Sequence, residues 1–149
     1  MTAPWLVGLD VDGTIILQDE TMSPGVPEAV ARLRDAGHEV TIATGRSWMA
    51  TRRWVEQLEL TPQFVVCSNG AVTMRRVGDE WERWHIETFD PSPVLALLRD
   101  RLPEARYMVE LGSGLRLYTE HLDDWTLDGG RQVGFEAVSY THLTLPTTP

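Results

Sequence analysis

Three apolar segments, each ending in a polar turn, constrain the fold of this chain most strongly. They cover residues 5–9, 38–44 and 64–70, and apolar residues recur at helical spacing in the two intervening stretches, 26–37 and 47–60. Strands that alternate with helices across short connections are typical of a parallel sheet with right-handed crossovers. The pattern therefore predicts an α/β fold with an open parallel sheet, in which the first segment is a buried strand.

The second helical stretch has the clearest start and inner face. Ser47 can cap its first turn, and Pro62 prevents the helix from continuing. The side chains expected on its inner face are Trp48, Ala50 or Thr51, Trp54, Val55 and Leu58.

The pattern changes after Gly70. Two hairpins are predicted, around the turns at residues 78–80 and 112–114, with a helix from about Ser92 to Pro103 between them. Strands with short turns around one helix favour a small α+β cap inserted after the third core strand. The predicted organisation is residues 1–72 as the N-terminal part of the core, 73–137 as a partial cap, and 138–149 as a non-native or disordered tail.

Charge and cysteine content exclude several classes of protein. The 149 residues carry a formal net charge of −9, which disfavours nucleic acid or an anionic membrane as a partner. No apolar run approaches the roughly 18 residues of a membrane span, and the N-terminus lacks the basic region of a signal peptide. The single cysteine, Cys67, rules out an internal disulfide and fits a reducing compartment. We therefore expect a cytoplasmic protein with a small-molecule partner, in an oligomeric state that the sequence does not indicate.

Two aspartates follow the first strand, Asp10 and Asp12, and their spacing suits phosphoryl transfer. Ligands of open α/β sheets gather outside the carboxyl ends of the strands. Asp10, nearest the strand, can attack phosphorus and form an aspartyl-phosphate, while Asp12 can protonate the leaving alkoxide and later deprotonate water. Two anions beside a phosphate require a divalent cation with oxygen ligands, which favours magnesium. Taken alone, the same residues are equally typical of an Asp-Gly turn that leaves a strand.

The string Asp10-Val11-Asp12-Gly13-Thr14 resembles the nucleophile motif of the haloacid dehalogenase (HAD) superfamily. The later order of features resembles its Cof-type phosphatases, whose class IIB cap is inserted after the third strand. The resemblance covers roughly residues 5–119 and implies an incomplete, Rossmann-like HAD core. It also implies that Mg²⁺ is held by the Asp10 carboxylate and by the backbone carbonyl of Asp12.

Two further turns match motifs of the same superfamily. Thr44-Gly45-Arg46 resembles the motif in which a hydroxyl and backbone N–H groups hold the phosphoryl oxygens, and Ser68-Asn69-Gly70-Ala71 resembles a Cof-type turn that faces the phosphate or the leaving group. Alternatively, Thr44 only caps a loop, Asn69 only forms a tight turn, and Arg46 pairs with a core acid. The predicted catalytic residues and metal ligands are Asp10 and Asp12, and the predicted phosphate- or substrate-binding residues are Gly13, Thr14, Thr44, Gly45, Arg46, Asn69 and Gly70.

Other polar and aromatic residues give weaker signals. The four histidines, at positions 38, 85, 121 and 142, lack metal-ligand spacing, and Cys67 lies in an apolar strand as a core thiol would. Trp81 and Trp84 could line a substrate cleft or pack a hairpin against its helix.

Two expected features of the superfamily are absent from their usual places. The chain has no lysine, since all 13 basic residues are arginine, so the usual basic clamp on the aspartyl-phosphate is missing. The acids of residues 123–128 follow no apolar strand and are poor candidates for the late metal motif. We expect a C-terminally truncated chain that is weak or inactive, with an exposed sheet edge.

The last residues have neither helical nor strand periodicity. VSYTHLTLPT, residues 138–147, is also the translation of a string that resembles a transposase-based sequencing adaptor. We therefore expect the natural protein to diverge near Ala137, the alternative being a genuine disordered tail.

These observations predict a magnesium-dependent phosphatase that hydrolyses a small, sugar-phosphate-like ester through an aspartyl-phosphate. One alternative is a phosphomutase or phosphotransferase with the same intermediate. Another is a non-catalytic phosphate-binding module. A signalling receiver domain fits poorly, because its acceptor aspartate would end the third strand, where this chain has Ser68-Asn69-Gly70.

Overall fold

A computed structural model describes residues 3–120, 130–135 and 138 of the chain. The chain divides into two compact units, of which the first ends at Glu87 and the second begins at Thr88. The predicted boundary after residue 72 falls inside the first unit, at the start of a hairpin, and remains a prediction. Among the described residues, no helix combines the length and apolarity that crossing a membrane requires.

The first unit alternates strands and helices, as the sequence predicts, and ends in a hairpin that the predicted organisation assigns to the cap. A 3-10 turn, Ser68–Gly70, separates the third strand from that hairpin. The elements are β1 Leu6–Leu9, α1 Val26–Asp35, β2 Glu39–Ile42, α2 Trp48–Gln57, β3 Phe64–Cys67, β4 Val72–Val77 and β5 Glu80–Ile86.

The strand pairing brings the ends of β1, β2 and β3 together. β1 and β2 are parallel in a register that joins Leu9 to Ile42, and a parallel bridge between Ala43 and Val66 joins the end of β2 to β3. β3 then pairs antiparallel with β4, and β4 with β5. The carboxyl ends of parallel strands share one edge, so the turns after β1, β2 and β3 lie in one region.

The prediction that the first apolar segment is a buried strand is wrong. Trp5 and Leu6 are 69% and 68% exposed, while Val7 and Leu9 are partly buried against the core. The strand is parallel to β2, as expected, but β2 is its only strand neighbour among the described residues. A strand covered on one side exposes alternate side chains, whereas burial of all of them requires cover on both faces.

The inner face of α2 is the one that the sequence predicts. Trp48, Ala50, Thr51, Trp54, Val55 and Leu58 are all buried. The Ser47 hydroxyl accepts a hydrogen bond from the Ala50 N–H, which confirms Ser47 as the helix cap. The Trp48 ring packs 5.1 Å from the ring of Trp81, so the β4–β5 hairpin shares the core of this unit.

The second unit contains a helix and three short strands. They are α3 Ser92–Arg101, β6 Met108–Glu110, β7 Arg116–Tyr118 and β8 Gly130–Gln132. β6 and β7 form the predicted hairpin, and β8, which the sequence did not predict, pairs parallel with β7. A separate apolar cluster holds them together around Leu95, Tyr107, Leu117 and Val138. Val138, the first residue of the predicted tail, is fully buried, while residues 139–149 lie outside the described residues.

Candidate active site

The turn after β1 is fixed by one buried carbonyl group. The backbone oxygen of Val11 accepts hydrogen bonds from the N–H groups of residues 14–16 at 3.1–3.3 Å. Gly13 allows this tight turn because its φ of 70° lies in the left-handed region. Val11 is fully buried, whereas Asp10 and Asp12 on either side of it are exposed. Both predicted catalytic carboxylates are therefore open to solvent and to a ligand.

The turns after β2 and β3 are joined by backbone hydrogen bonds. The Thr44 N–H donates to the Val66 carbonyl at 3.0 Å, and the Thr44 carbonyl accepts from the Asn69 N–H at 3.1 Å. The Ser68 N–H donates to the Arg46 carbonyl at 2.8 Å. The two predicted phosphate-binding motifs are thus held side by side by their backbones.

Gly45 allows a close approach between these two turns. A Cβ atom at this position would lie 3.0 Å from Oδ1 of Asn69, closer than such contacts normally are. Ser68 and Asn69 have φ values of 50° and 54°, which non-glycine residues adopt at a cost, and Gly70 follows with 95°. Strained backbone of this kind is characteristic of functional sites, and here it presents the exposed Asn69 amide beside Gly45.

Thr44 is buried, and its hydroxyl is already engaged. Its Oγ1 accepts a hydrogen bond from the Arg46 N–H at 3.2 Å, within the turn. The hydroxyl hydrogen remains able to donate, because accepting uses only a lone pair. Thr44 does not cap α2, which Ser47 does.

Arg46 is the residue that connects the first turn to the second. Its guanidinium binds both carboxylate oxygens of Asp12, with Nε 2.8 Å from Oδ2 and Nη2 2.5 Å from Oδ1. Only 2% of the Arg46 side chain is exposed, against 55% for Asp12. Arg46 therefore pairs with an acid, one of the two roles that the sequence left open, and its contact with a substrate stays a prediction.

This pairing favours the charged form of both residues. Hydrogen bonds from Arg46 lower the pKa of Asp12 below its ordinary value, against the smaller effect of burial. Burial alone would lower the pKa of Arg46, but its bonds to Asp12 and Glu20 outweigh burial and raise it. Asp12 is therefore a carboxylate at neutral pH, and the lone pairs that Arg46 leaves free can still accept a proton.

Two charged residues of this site were not found by sequence reasoning. Glu20, in the loop after β1, accepts a hydrogen bond from Nη1 of Arg46 at 3.1 Å and also pairs with Arg53 of α2. Glu20 is 26 positions from Arg46 and belongs to no motif, so no spacing rule points to the contact. Only the fold brings them together.

The oxygen donors at the end of β1 suit part of a magnesium site. The Asp10 carboxylate and the Asp12 carbonyl oxygen form no hydrogen bond with any other described residue. Mg²⁺ is commonly held by one or two protein oxygens together with waters and a substrate phosphate. Within the described part of the chain, no group of three or more His, Cys, Asp or Glu side chains could hold a metal by itself. The described residues thus fit a magnesium ion for which they supply only some of the ligands.

The remaining candidates have structural contacts. Cys67 is fully buried, as expected of a core thiol. Nδ1 of His38 accepts a hydrogen bond from the Trp5 N–H, and the Trp84 ring packs 4.9 Å from that of Phe64. The acids at 123, 124 and 128 lie outside the described residues.

The fold and site define an α/β protein that carries two aspartates after its first strand, beside hydroxyl, guanidinium and amide groups. The family model described as haloacid dehalogenase-like hydrolase matches residues 7–111. The chain belongs to this family, which confirms the resemblance carried by its motifs.

Individual relatives are named phosphatases. The chain is 39% identical over 84 residues to the 5-amino-6-(5-phospho-D-ribitylamino)uracil phosphatase YitU of Bacillus subtilis (strain 168), covering 56% of this chain and 31% of the relative. It is 34% identical over 98 residues to the pyridoxal phosphate phosphatase YbhA of Escherichia coli (strain K12), covering 63% of this chain and 32% of the relative. The chain thus matches about a third of the length of these relatives.

A solved structure supports the fold. The chain is similar to a haloacid dehalogenase-like hydrolase from Bacteroides thetaiotaomicron, with a TM-score of 0.67 and 18% identity. The match covers 97% of this chain and 56% of the other.

Proposed function

We propose that this sequence is part of a magnesium-dependent phosphatase that hydrolyses a small phosphate ester through an aspartyl-phosphate. The observation that carries the proposal is the connection of three strand-end turns into one site. Arg46, in the turn after β2, binds Asp12 in the turn after β1. Backbone hydrogen bonds join the turn of Arg46 to the turn after β3. Family membership supports the same chemistry.

Asp10 is the proposed nucleophile. Its carboxylate is exposed and has no hydrogen-bond partner among the described residues, so an oxygen is free to attack phosphorus. The bond from phosphorus to the leaving oxygen then breaks, and the phosphoryl group stays on Asp10 until water displaces it.

Asp12 is the proposed general acid and base. It must hold a proton to give to the leaving oxygen, and it regains one from the water that hydrolyses the aspartyl-phosphate. The lowered pKa favours the charged form that acts as base. Acting as acid therefore requires protonation on a lone pair that Arg46 leaves free.

The phosphoryl oxygens are proposed to bind between the turns after β1, β2 and β3. Thr14 is exposed, Thr44 can donate its hydroxyl hydrogen, and the Asn69 amide lies beside Gly45. Gly13 and Gly70 hold the turns in their left-handed conformations. The N-terminal end of α2 adds a favourable field for an anion.

Magnesium would be held by the Asp10 carboxylate and the Asp12 carbonyl oxygen. When bound, it would neutralise the charge that two aspartates and a phosphate bring together.

The proposed substrate class is a phosphate monoester of a small polar molecule. Two relatives are named for such compounds, a phosphoribitylamino-uracil and pyridoxal phosphate. A sugar phosphate belongs to the same class. A cytoplasmic location is part of the proposal, supported by a single cysteine, which is buried and cannot form an internal disulfide.

The test is phosphate release from a panel of small monoesters by the full-length gene product that carries this sequence. With Mg²⁺ present, we expect release that Asp10→Asn lowers by about 10⁴-fold or more and Asp12→Asn by about 10²–10⁴-fold. Removal of Mg²⁺ with a chelator should stop it. Transfer to an added sugar in place of release would favour the phosphotransferase alternative.

The matched control is Asp35→Asn, which alters an exposed acid at the end of α1. Its rate should equal that of the wild type. Wild-type turnover in Asp10→Asn would contradict the proposed nucleophile. The 149-residue chain, assayed in parallel, should be weak or inactive, because it has no lysine and its described residues supply only part of a metal site.

A further inference from the structure

A chain of four alternating charges runs from the site into α2. It consists of Asp12, Arg46, Glu20 and Arg53, and we call it the ion-pair chain. Its members sum to zero charge, and its two inner residues are its least exposed, at 2% for the Arg46 side chain and 23% for that of Glu20. Arg53 also lies over the Trp54 ring, with its guanidinium carbon 4.5 Å from the ring centroid.

The donors of Arg46 are divided between two carboxylates. Nε and Nη2 bind Asp12, while Nη1 binds Glu20. A planar guanidinium held on two sides cannot turn about its own axis without losing one of these contacts. Its position therefore depends on Glu20 as well as on Asp12.

The loop that carries Glu20 is shaped to present this carboxylate. Glu20 has a φ of 61°, a strained value for a residue with a Cβ, and its N–H bonds to the Leu17 carbonyl at 3.1 Å. Asp19 accepts hydrogen bonds from both the N–H and the hydroxyl of Thr21, at 3.0 and 2.6 Å. An isolated bridge from Ile16 to Met22 closes the loop. Such strain persists only where the surroundings hold it in place.

We propose that Glu20 is a positioning residue for Asp12, acting through the shared Arg46 guanidinium. The Glu20 carboxylate accepts hydrogen bonds from Arg46 and Arg53, so it reaches Asp12 only through Arg46. It fixes the plane of the guanidinium, and this plane sets the orientation in which the Asp12 carboxylate is presented. The chemical consequence rests on the proposed function, but the geometric claim does not.

The Nε–H group of Arg46 gives a direct readout of that claim. It bonds to Asp12 and not to Glu20, so a change there reports on the Asp12 contact. A role of Glu20 confined to shaping its own loop would leave this signal unchanged. Hydrogen exchange of this group can be followed by ¹⁵N NMR on the 149-residue chain.

Three variants make the test. Glu20→Ala should speed exchange of the Arg46 Nε–H by about tenfold, because a guanidinium no longer held at Nη1 keeps a weaker charge-assisted bond from Nε to Asp12. Glu20→Gln preserves the size and an acceptor oxygen, so a smaller increase of about threefold is expected. Glu56→Ala is the matched control, because it removes the partner of the exposed Arg52 on the same helix. In Glu56→Ala, the exchange rate of the Arg46 Nε–H should equal the wild-type rate.

The proposal is overturned if both Glu20 variants leave this exchange rate at the wild-type value. If Glu20→Ala does not fold, Glu20→Gln decides alone. In the full-length gene product, Glu20→Ala should lower kcat for phosphate release by about tenfold and change KM less than twofold. A wild type that releases no phosphate would defeat the proposed function, while the exchange measurement still decides the positioning role.

Discussion

At the scale of single residues, the contact between Asp12 and Arg46 links the proposed chemistry to folding stability. A carboxylate whose pKa is lowered on folding stabilises the folded state only while it is ionised. The hydrogen bonds from Arg46 lower the pKa of Asp12 from 3.8, so the pair contributes fully above that pH. Stability is then lost as the pH falls through the folded-state pKa.

The first prediction follows from this linkage. The difference in the free energy of unfolding between the wild type and Asp12→Asn should be constant from pH 7 to about pH 5 and shrink below pH 4. Urea unfolding at a series of pH values measures it. A difference that grows as the pH falls would show that Asp12 is not held by Arg46 as its charged form.

Gly45 carries the second prediction. In Gly45→Ala the new Cβ would meet the Asn69 amide at 3.0 Å, and the exposed amide can turn away. We therefore expect a stability loss of about 1 kcal/mol or less, but phosphate release lowered by about tenfold or more because Asn69 is displaced. Gly112→Ala, which would meet nothing within 4 Å, is the control. Equal activity in Gly45→Ala and Gly112→Ala would show that Asn69 is not part of the proposed site.

The candidate site could be predicted from sequence only where its members belong to a motif. Thr44 and Asn69 follow strands whose ends must meet, so their proximity could be inferred before the fold was known. The acid that pairs with Arg46 could not be inferred in this way, because a side chain as long as that of arginine can reach several acids. Glu20 escaped prediction for the same reason, since its contact depends on how the loop after β1 turns back toward α2.

At the scale of secondary structure, α2 combines a capped start with a buried inner face. The Ser47 hydroxyl accepts from the Ala50 N–H at 3.4 Å, and the Ser47 carbonyl accepts from the Thr51 hydroxyl at 2.7 Å. The N-terminal turn of this helix follows Arg46 directly, so the cap also fixes the end of the second motif.

The third prediction concerns this cap. Ser47→Ala should lower the free energy of unfolding by about 1 kcal/mol, because the first turn loses a hydrogen-bond acceptor. Met49→Ala, on the exposed side of the same turn, should change it by less than about 0.5 kcal/mol. Chemical denaturation measures both, and equal values would show that Ser47 does not act as a cap.

The helices were predicted well because their signals are local. Apolar spacing located α1 and α2, Ser47 marked where α2 begins, and Pro103 marked where α3 stops. The burial of β1 depends on what covers its second face, which the strand itself does not reveal. β8 is three residues long and contains one glycine, so it has no periodicity to detect.

At the scale of the whole molecule, the two units have separate apolar clusters. One contains Val65 with the side chains of α2, and the other contains Leu117 with those of α3 and β6. Of the six tryptophans, five lie in the first unit, and Trp125 lies outside the described residues. Tryptophan fluorescence therefore reports mainly on the first unit.

The last prediction is that the two units lose structure in separate steps. Val65→Ala removes a fully buried side chain and should lower the stability of the first unit by about 1.5–3 kcal/mol. Leu117→Ala should cost the second unit about 2 kcal/mol or more, while the fluorescence midpoint in urea stays at its wild-type value. Amide hydrogen exchange of β6 and β7 should then increase alone. The contrary result is a fluorescence midpoint that Leu117→Ala shifts as far as Val65→Ala does. It would mean that the two clusters unfold as one cooperative structure, because lost stability in the second unit would then also destabilise the first.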